Sequence, residues 1–464
     1  MDDPIRHVVV LMLENHSFDQ MLGCLKEQNS EIDGVDMHAE PHRATDYPDA
    51  THLIAQLHTN ERFLDPDPKH EYPNVLRQLN VRYGFVCDYI QSHPSCPLEK
   101  KAEVMGVYPM GFLPVLHLLA PVFLTCDHWF SSLPSPTWPN RFFVHSDTCK
   151  GHVAMPSGIF DKNWHCYDQP TLYARLHERG ISWRIYHHGM PQTLVMIRQL
   201  EFATHYHSME TFFADAKGPA DLFPQFSFIE PAYSGPDQND QHPPSDVMKG
   251  ELLLLRVYNA LRGNEELWKS TLFIFLYDEH GGFYDHIEPE PTIAPDDYVS
   301  EFKFDKLGVR VPAVLISPWV DPGVCHTVFD HTALLKYVTD KWGLGPLGRR
   351  TAGWANSFAP ELTKRSAPRE DTPTVLDERS VPNVQDVQAR ERASSCNGFF
   401  QSRVGGRTSE SRGTCGDRRT LITFAFGGGI PIRGRYRAHS SLHRTQEGRN
   451  ALVPLPTSCA SRAL

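Results

Sequence analysis

No two of the ten cysteines in this sequence stand in a C-x-x-C pair. That argues against a thiolate zinc site, and the irregular spacing gives no disulfide framework. Buried free thiols are the expectation. Nor does any apolar run reach the roughly 20 residues that a membrane-spanning helix needs. The first strand-like run begins at Ile5, so no secretory signal is expected and the chain is placed in the cytoplasm. Positive charge is scarce, with 45 Lys and Arg against 56 Asp and Glu and a formal net charge of −11. This argues against nucleic acid as the main partner, because phosphate backbones need a basic surface. Beyond about Ser366 lysine is absent while Arg, Ser, Thr and Gly are common. "SRVGGRTSESRGTCGDRRT" (402–420) has no apolar periodicity on which to build a core. Residues 366–464 are therefore expected to be a disordered tail, in which only "LITFAF" (421–426) reads as a strand.

What the remaining sequence contains is the pattern of an alternating α/β protein, expected to span residues 1–365. "IRHVVVLML" (5–13) is a continuous apolar run, as suits a strand covered on both faces. "PVFLTCDHWF" (121–130), "ISWRIY" (181–186), "FPQFSFIE" (223–230), "TLFIFLYDEH" (271–280) and "VRVPAVLISPWV" (309–320) read alike. Helical patterns separate them. The clearest is 245–263, where Val247, Leu252, Leu255, Tyr258 and Leu261 recur near helical spacing behind the capping residues Ser245 and Asp246. Strands alternating with helices predict a mostly parallel central sheet flanked by helices. The stretches 25–120 and 135–220 look loop-rich. "MGFLPVLHLLAPVFLT" (110–124) reads as a core helix running into a strand, with a lipid-facing lip as the alternative.

Polar clusters follow these apolar runs. Glu14 and Asn15 come directly after the first, and Asp278, Glu279 and His280 end "TLFIFLYDEH", with Asp285 and His286 in the "GGFYDH" beyond. "SSLPSPTWPNR" (131–141) follows "FLTCDHWF", and "QNDQHPPSD" (238–246) precedes the long helix. Ligands in open α/β sheets bind beyond the carboxyl ends of the strands. Glu, Asn and Asp are hard oxygen donors suited to a divalent cation such as Mg²⁺, Mn²⁺, Ca²⁺ or Fe²⁺. Gly281 and Gly282 permit a sharp turn and close backbone approach. The prolines around Thr137 hold its hydroxyl in a stiff turn, where it could attack an ester beside a metal. Asn140 and Arg141 could hold an anionic group. Any one such cluster alone would be a solvated turn; their repetition after strand after strand points to a metal-assisted hydrolase.

Five blocks, "LMLENHSFDQMLG", "SSLPSPTWPNRFFVHSDT", "NDQHPPSDVMKGE", "YDEHGGFYDHIEP" and "RVPAVLISPWVDPGVCHTVFDHTALLKYV", resemble in order the signatures of one family. It is the phosphoesterase family of bacterial and fungal phospholipases C and acid phosphatases, whose fold is similar to that of alkaline phosphatases and sulfatases. The resemblance covers about 5–362. It implies one or more divalent metal ions (Mn, Fe, Ca, Mg or Zn) held by Glu14, Asn15, Thr137, Asp278 and Glu279, with Thr137 as nucleophile. His70, in "DPKHEYPNV", and His242 match phosphate-side histidines, and His242 is the choice for protonating the leaving alcohol. His280 and His286 fall in the matched block without a defined role, and His187 and His188 could match further phosphate-side histidines.

The implied substrate is a phosphoester, either a phospholipid or a soluble phosphomonoester, with possible transient contact at a membrane surface and no transmembrane segment. A sulfate or phosphonate ester hydrolase on the same fold is the alternative chemistry. An inactive relative that binds phospholipid or a partner is the non-enzymatic one.

Overall fold

In the computed structural model, described for residues 3–38, 42–43, 53–54, 56–80, 84–155, 167–298 and 300–382, the N-terminal apolar run becomes β1 (His7–Leu13). Every residue of β1 is buried. The other apolar runs become β2 (Leu124–Cys126), β3 (Trp183–His187), β5 (Phe226–Glu230), β6 (Thr271–Tyr277) and β7 (Ala313–Ile316). Two short strands, β4 (Tyr206–Ser208) and β8 (Gly323–Cys325), close the edges and were not legible as strands. The sheet runs β8-β2-β7-β6-β1-β5-β3-β4. Only the pairings of β7 with β6 and with β2 are antiparallel; the other neighbours are parallel. The expected architecture, a mostly parallel central sheet flanked by helices, is what forms. β1 and β6 are buried along their whole length, as central strands covered on both faces must be.

Register sets the site. Leu13 on β1 lies beside Tyr277 on β6, so the residues that follow each, Glu14–Asn15 and Asp278–Glu279, leave the sheet side by side. Beyond β1 the chain turns into α1 (Phe18–Leu22), capped by the Ser17 hydroxyl, which accepts from the Gln20 amide. α2 (Thr137–Ser146) follows the extension of β2. α3 (Val247–Arg262) is capped by Asp246, which accepts from the Met248 amide. The five apolar positions expected to face inward there are all buried, joined by Leu253, Leu254 and Val257. α4 (Thr332–Trp342) follows β8. The apolar stretch 110–124 takes its core reading: a short helix at Leu116–Leu119 leads into β2, with Leu113, Leu116, Leu119 and Phe123 buried. Among the described residues, no helix is long and apolar enough to cross a membrane.

The stretch 366–382, placed in the tail by composition, packs against the body. The Trp268 indole donates to the Thr372 hydroxyl (3.2 Å), the Tyr258 hydroxyl donates to the Pro373 carbonyl, and Val381 is buried. Residues 383–464, "LITFAF" among them, lie outside the described residues.

Candidate active site

At the carboxyl ends of β1 and β6 four oxygen-bearing side chains converge, all of them buried. The Asn15 amide donates to Asp278 Oδ1 (3.3 Å), which also accepts from the Glu279 amide (2.7 Å). Asn15 adopts a left-handed backbone (φ 66°), unusual for a residue with a side chain and characteristic of functional turns. Gly281 (φ 64°) makes this possible, because a Cβ there would lie 2.2 Å from the Asn15 carbonyl oxygen. A Cβ on Gly282 would strike Pro68 and the Lys69 carbonyl, in the loop that carries His70. The glycine pair thus brings three loops together.

Thr137 opens α2 as its first residue instead of sitting in an isolated turn, with Pro136 before it fixing the entry. Arg141 lies one turn further along the same helix face. Its guanidinium is buried and pairs with Glu14 Oε1 (3.1 Å) and Asp278 Oδ2 (3.1 Å), and it donates to the Tyr233 hydroxyl (3.0 Å). The anion-holding role expected of Arg141 is therefore taken by these internal carboxylates. Asn140, also expected at an anion, is fully buried. Its amide nitrogen donates to the carbonyls of Ser135 (2.7 Å) and Leu133 (3.2 Å), and its oxygen accepts from the Leu133 amide (3.2 Å). It buttresses the loop that delivers Thr137.

His70 is 3.2 Å from Asn15 Nδ2 and 3.7 Å from Glu279 Oε1, and its other nitrogen bonds the Pro68 carbonyl (2.9 Å). Burial, with His242 beside it, pushes its pKa down to about 3, so it is neutral. His242 stacks edge-on to His70 at 5.5 Å between centroids, 4.0 Å from Asp67. Burial opposes its charge, but the carboxylates of Asp67 and Glu14 outweigh burial and hold its pKa above the ordinary value. Donor atoms of Asp67, His70 and His242 lie within 4.8 Å of one another.

The remaining histidines occupy varied positions. His280 bonds Gln78 (2.8 Å) and lies 3.4 Å from Glu279, which it helps to orient. His187 bonds the Gly189 carbonyl (2.6 Å) and His188 bonds Asn239 (2.7 Å), next to Asp240. His286 bonds Asp19 (2.7 Å) in a separate network whose positive charge is Arg310, itself paired to Asp19 (3.1 Å) and Asp285 (2.8 Å). Four contributors were missed. Asp67 lies three residues before His70, in "DPDPKH". Asp240 accepts from the His242 amide (3.1 Å), and its carbonyl accepts from the Glu14 amide (2.8 Å). Gln192 donates to Glu14 (2.8 Å), and His331 donates to the Asp278 carbonyl (2.6 Å). Only Asp67 and Asp240 had a signal, being acidic neighbours of histidines already singled out.

These residues fit a divalent cation. Among the described residues, Asn15 Oδ1 and Glu279 Oε1 are buried without a hydrogen-bond partner, an arrangement costly unless something positive completes it. Burial pushes Asp278 up to about 7, with Glu14 adding to it against Arg141. Burial and the neighbouring Asp278 push Glu279 up as well. Carboxylates strained in this way are what a hard cation relieves.

The sequence profile of the phosphoesterase family matches residues 5–345. Non-specific phospholipase C3 of Arabidopsis thaliana is 34% identical over 423 residues, covering 83% of this chain and 78% of that protein. Phospholipase C B of Mycobacterium tuberculosis is 27% identical over 414 residues, covering 77% of each chain. Among solved structures, the PsFucS1 sulfatase from Pseudoalteromonas sp. has a TM-score of 0.38 at 12% identity, covering 79% of this chain and 73% of its own.

Proposed function

From the premise that the chain belongs to the phosphoesterase family and is a hydrolase of phosphoric esters, we propose that it is a metal-dependent enzyme of phospholipase C type with Thr137 as its nucleophile. The observation that carries this reading is the pair of unpartnered buried oxygens, Asn15 Oδ1 and Glu279 Oε1, beside Arg141 on the helix that Thr137 opens. Glu14, Asn15, Asp278 and Glu279 would hold a divalent cation, with Thr137 adjoining. When bound, the cation supplies positive charge for the phosphoryl oxygens and lowers the cost of ionising the nucleophile.

The chain's own residues account for the rest. Thr137, at the N-terminus of the ten-residue α2, presents its hydroxyl where the helix dipole favours negative charge. Once its hydroxyl proton has passed to a water, its oxygen forms a bond to phosphorus as the bond to the leaving alcohol breaks. His242, whose pKa Asp67 and Glu14 raise against burial, gives its proton to that alcohol. Water then hydrolyses the phospho-threonine and releases the phosphorylated head group. Arg141 fixes Glu14 and Asp278 in place throughout, and neutral His70 keeps Asn15 oriented through its hydrogen bond. The names of the relatives favour a phospholipid over a soluble phosphomonoester.

The test is nitrophenol release from p-nitrophenyl phosphorylcholine and p-nitrophenyl phosphate. It compares wild type with Thr137→Ala, after metal removal and after return of Mn²⁺, Fe²⁺, Ca²⁺, Mg²⁺ or Zn²⁺ singly. Metal-dependent activity that prefers the phosphorylcholine ester and falls at least about 10³-fold in the variant is expected. Equal rates in both proteins would rule out Thr137, and preference for the monoester would make the enzyme a phosphatase.

A further inference from the structure

Cys126 ends β2, and Cys325 ends the edge strand β8. The two strands are parallel, with Cys126 and Cys325 directly opposite one another in register. Opposed residues on neighbouring strands share a face and lie about 4.8 Å apart. That is inside the roughly 4.4–6.8 Å between Cα atoms that a disulfide spans. Both residues are free thiols, and their side chains are hydrogen-bonded to each other. They differ in access and in character. Cys126 is fully buried, and its thiol is held well above the ordinary range by that hydrogen bond and by burial. Cys325 is 7% exposed on a three-residue edge strand. The bond from Cys126 pushes its pKa down to about 6, against the effect of burial.

We propose that Cys126 and Cys325 are a reversible oxidation site, which a peroxide converts to a disulfide joining β8 to β2. Cys325 as thiolate attacks one oxygen of hydrogen peroxide. The O–O bond breaks, hydroxide leaves, and the sulfur becomes a sulfenic acid. The Cys126 sulfur then attacks it; the S–S bond forms, and the sulfenic oxygen departs as water with the Cys126 proton. In sum two thiols and one peroxide give a disulfide and two waters, and a dithiol reductant reverses the change. The division of labour follows position: Cys325, 7% exposed on the edge strand, lies nearer the surface than the fully buried Cys126, so it meets the oxidant and Cys126 resolves it.

The link lies at the root of two segments that back the active site. From Cys126 the chain continues through Asp127, which takes the His326 ring at 3.0 Å, to Trp129, whose indole donates to His331 (3.3 Å). From Cys325 it continues through His326 to His331, which holds the Asp278 carbonyl (2.6 Å). Oxidation therefore braces the wall behind Asp278 without moving strands that are already paired.

The experiment uses the full chain, fully reduced and then treated with a small excess of hydrogen peroxide. It is digested without reductant and analysed by mass spectrometry. A linked peptide containing Cys126 and Cys325 that dithiothreitol separates is expected, with a higher melting temperature for the oxidised protein. In Cys126→Ser the oxidation is expected to halt at a Cys325 sulfenic acid that dimedone traps. Circular dichroism of each protein before oxidation establishes that it is folded. If folded wild type carries both thiols unlinked after treatment, or links either one to a different cysteine, the proposal is overturned.

Discussion

Asn15 can hold its left-handed turn because Gly281 leaves room for the Asn15 carbonyl. Gly281→Ala would put a Cβ 2.2 Å from that oxygen at a backbone angle L-residues avoid, so one of the two loops must move. We expect a loss of about 1–3 kcal/mol in stability and at least about tenfold in activity, read by urea unfolding and ester turnover. Unchanged turnover would mean that the Asn15 turn does not shape the site. Arg141 makes a different kind of statement, since it is the resident counter-charge to Glu14 and Asp278. Arg141→Met leaves two buried carboxylates without it, an expected cost of about 3–5 kcal/mol in chelator. A divalent cation binding only the folded form should return more stability to this variant than it adds to wild type. Thermal melts with and without metal would check this, and equal melting of both proteins in chelator would sink it.

At the scale of elements, α3 is tied to the short helix at Leu116–Leu119 by one carboxyl group. Glu251 accepts from the amides of Val115 (2.6 Å) and Leu116 (3.1 Å) and so satisfies donors at that helix's start. Burial pushes Glu251 up to about 7, although both amides favour its charged form. The folded protein thus holds this proton more tightly than the unfolded chain does. Its contribution to stability is complete below the ordinary glutamate range, around 4.5, and is lost as pH rises through about 7. Glu251→Gln keeps the acceptor and removes the titration. The variant should match wild type near pH 4 and exceed it by about 3 kcal/mol at pH 8, measured by urea unfolding across that range. Parallel curves for the two proteins would show that Glu251 carries no such linkage. The same scale explains what could be read in advance. Long apolar runs such as Thr271–Tyr277 announced themselves because both faces are buried, whereas the three-residue edge strands have too few residues for a pattern. Thr137 read as a turn residue because its flanking prolines signal turns, yet Pro136 and Pro139 sit where a helix's first turn tolerates them.

For the whole molecule, composition spoke to fold class and to where ligands should emerge, but not to which polar side chains face one another. Glu14, Asn15, Asp278 and Glu279 were legible because strand ends can be located. That Arg141 and Asn140 bond internal groups could not be read in advance, because only the tertiary arrangement shows those partners. The network around His286 was hidden for the same reason, Arg310 lying 24 residues further along the chain. Composition also misled at the C-terminal side, where 366–382 reads as tail yet crosses the body by specific bonds. Arg369 donates to the Val122 carbonyl (2.8 Å), the Asn259 side chain bonds both the amide (2.7 Å) and the carbonyl (2.8 Å) of Leu376, and Arg256 pairs with Glu378 (3.2 Å). Such bonds go to backbone groups or, for Arg256 and Glu378, between charged side chains, so no apolar periodicity is needed to make them and none appears in the sequence. Asn259→Ala removes the two that mimic a strand partner for Leu376. We expect a cost of about 1–2 kcal/mol and earlier cleavage within 366–382 under limited proteolysis, while p-nitrophenyl ester turnover stays at the wild-type value because the Asn259 side chain bonds Leu376 and not a site residue among those described. Cleavage at the same rate in both proteins would mean that the remaining contacts, from Arg369, Trp268 and Tyr258, hold the segment without it.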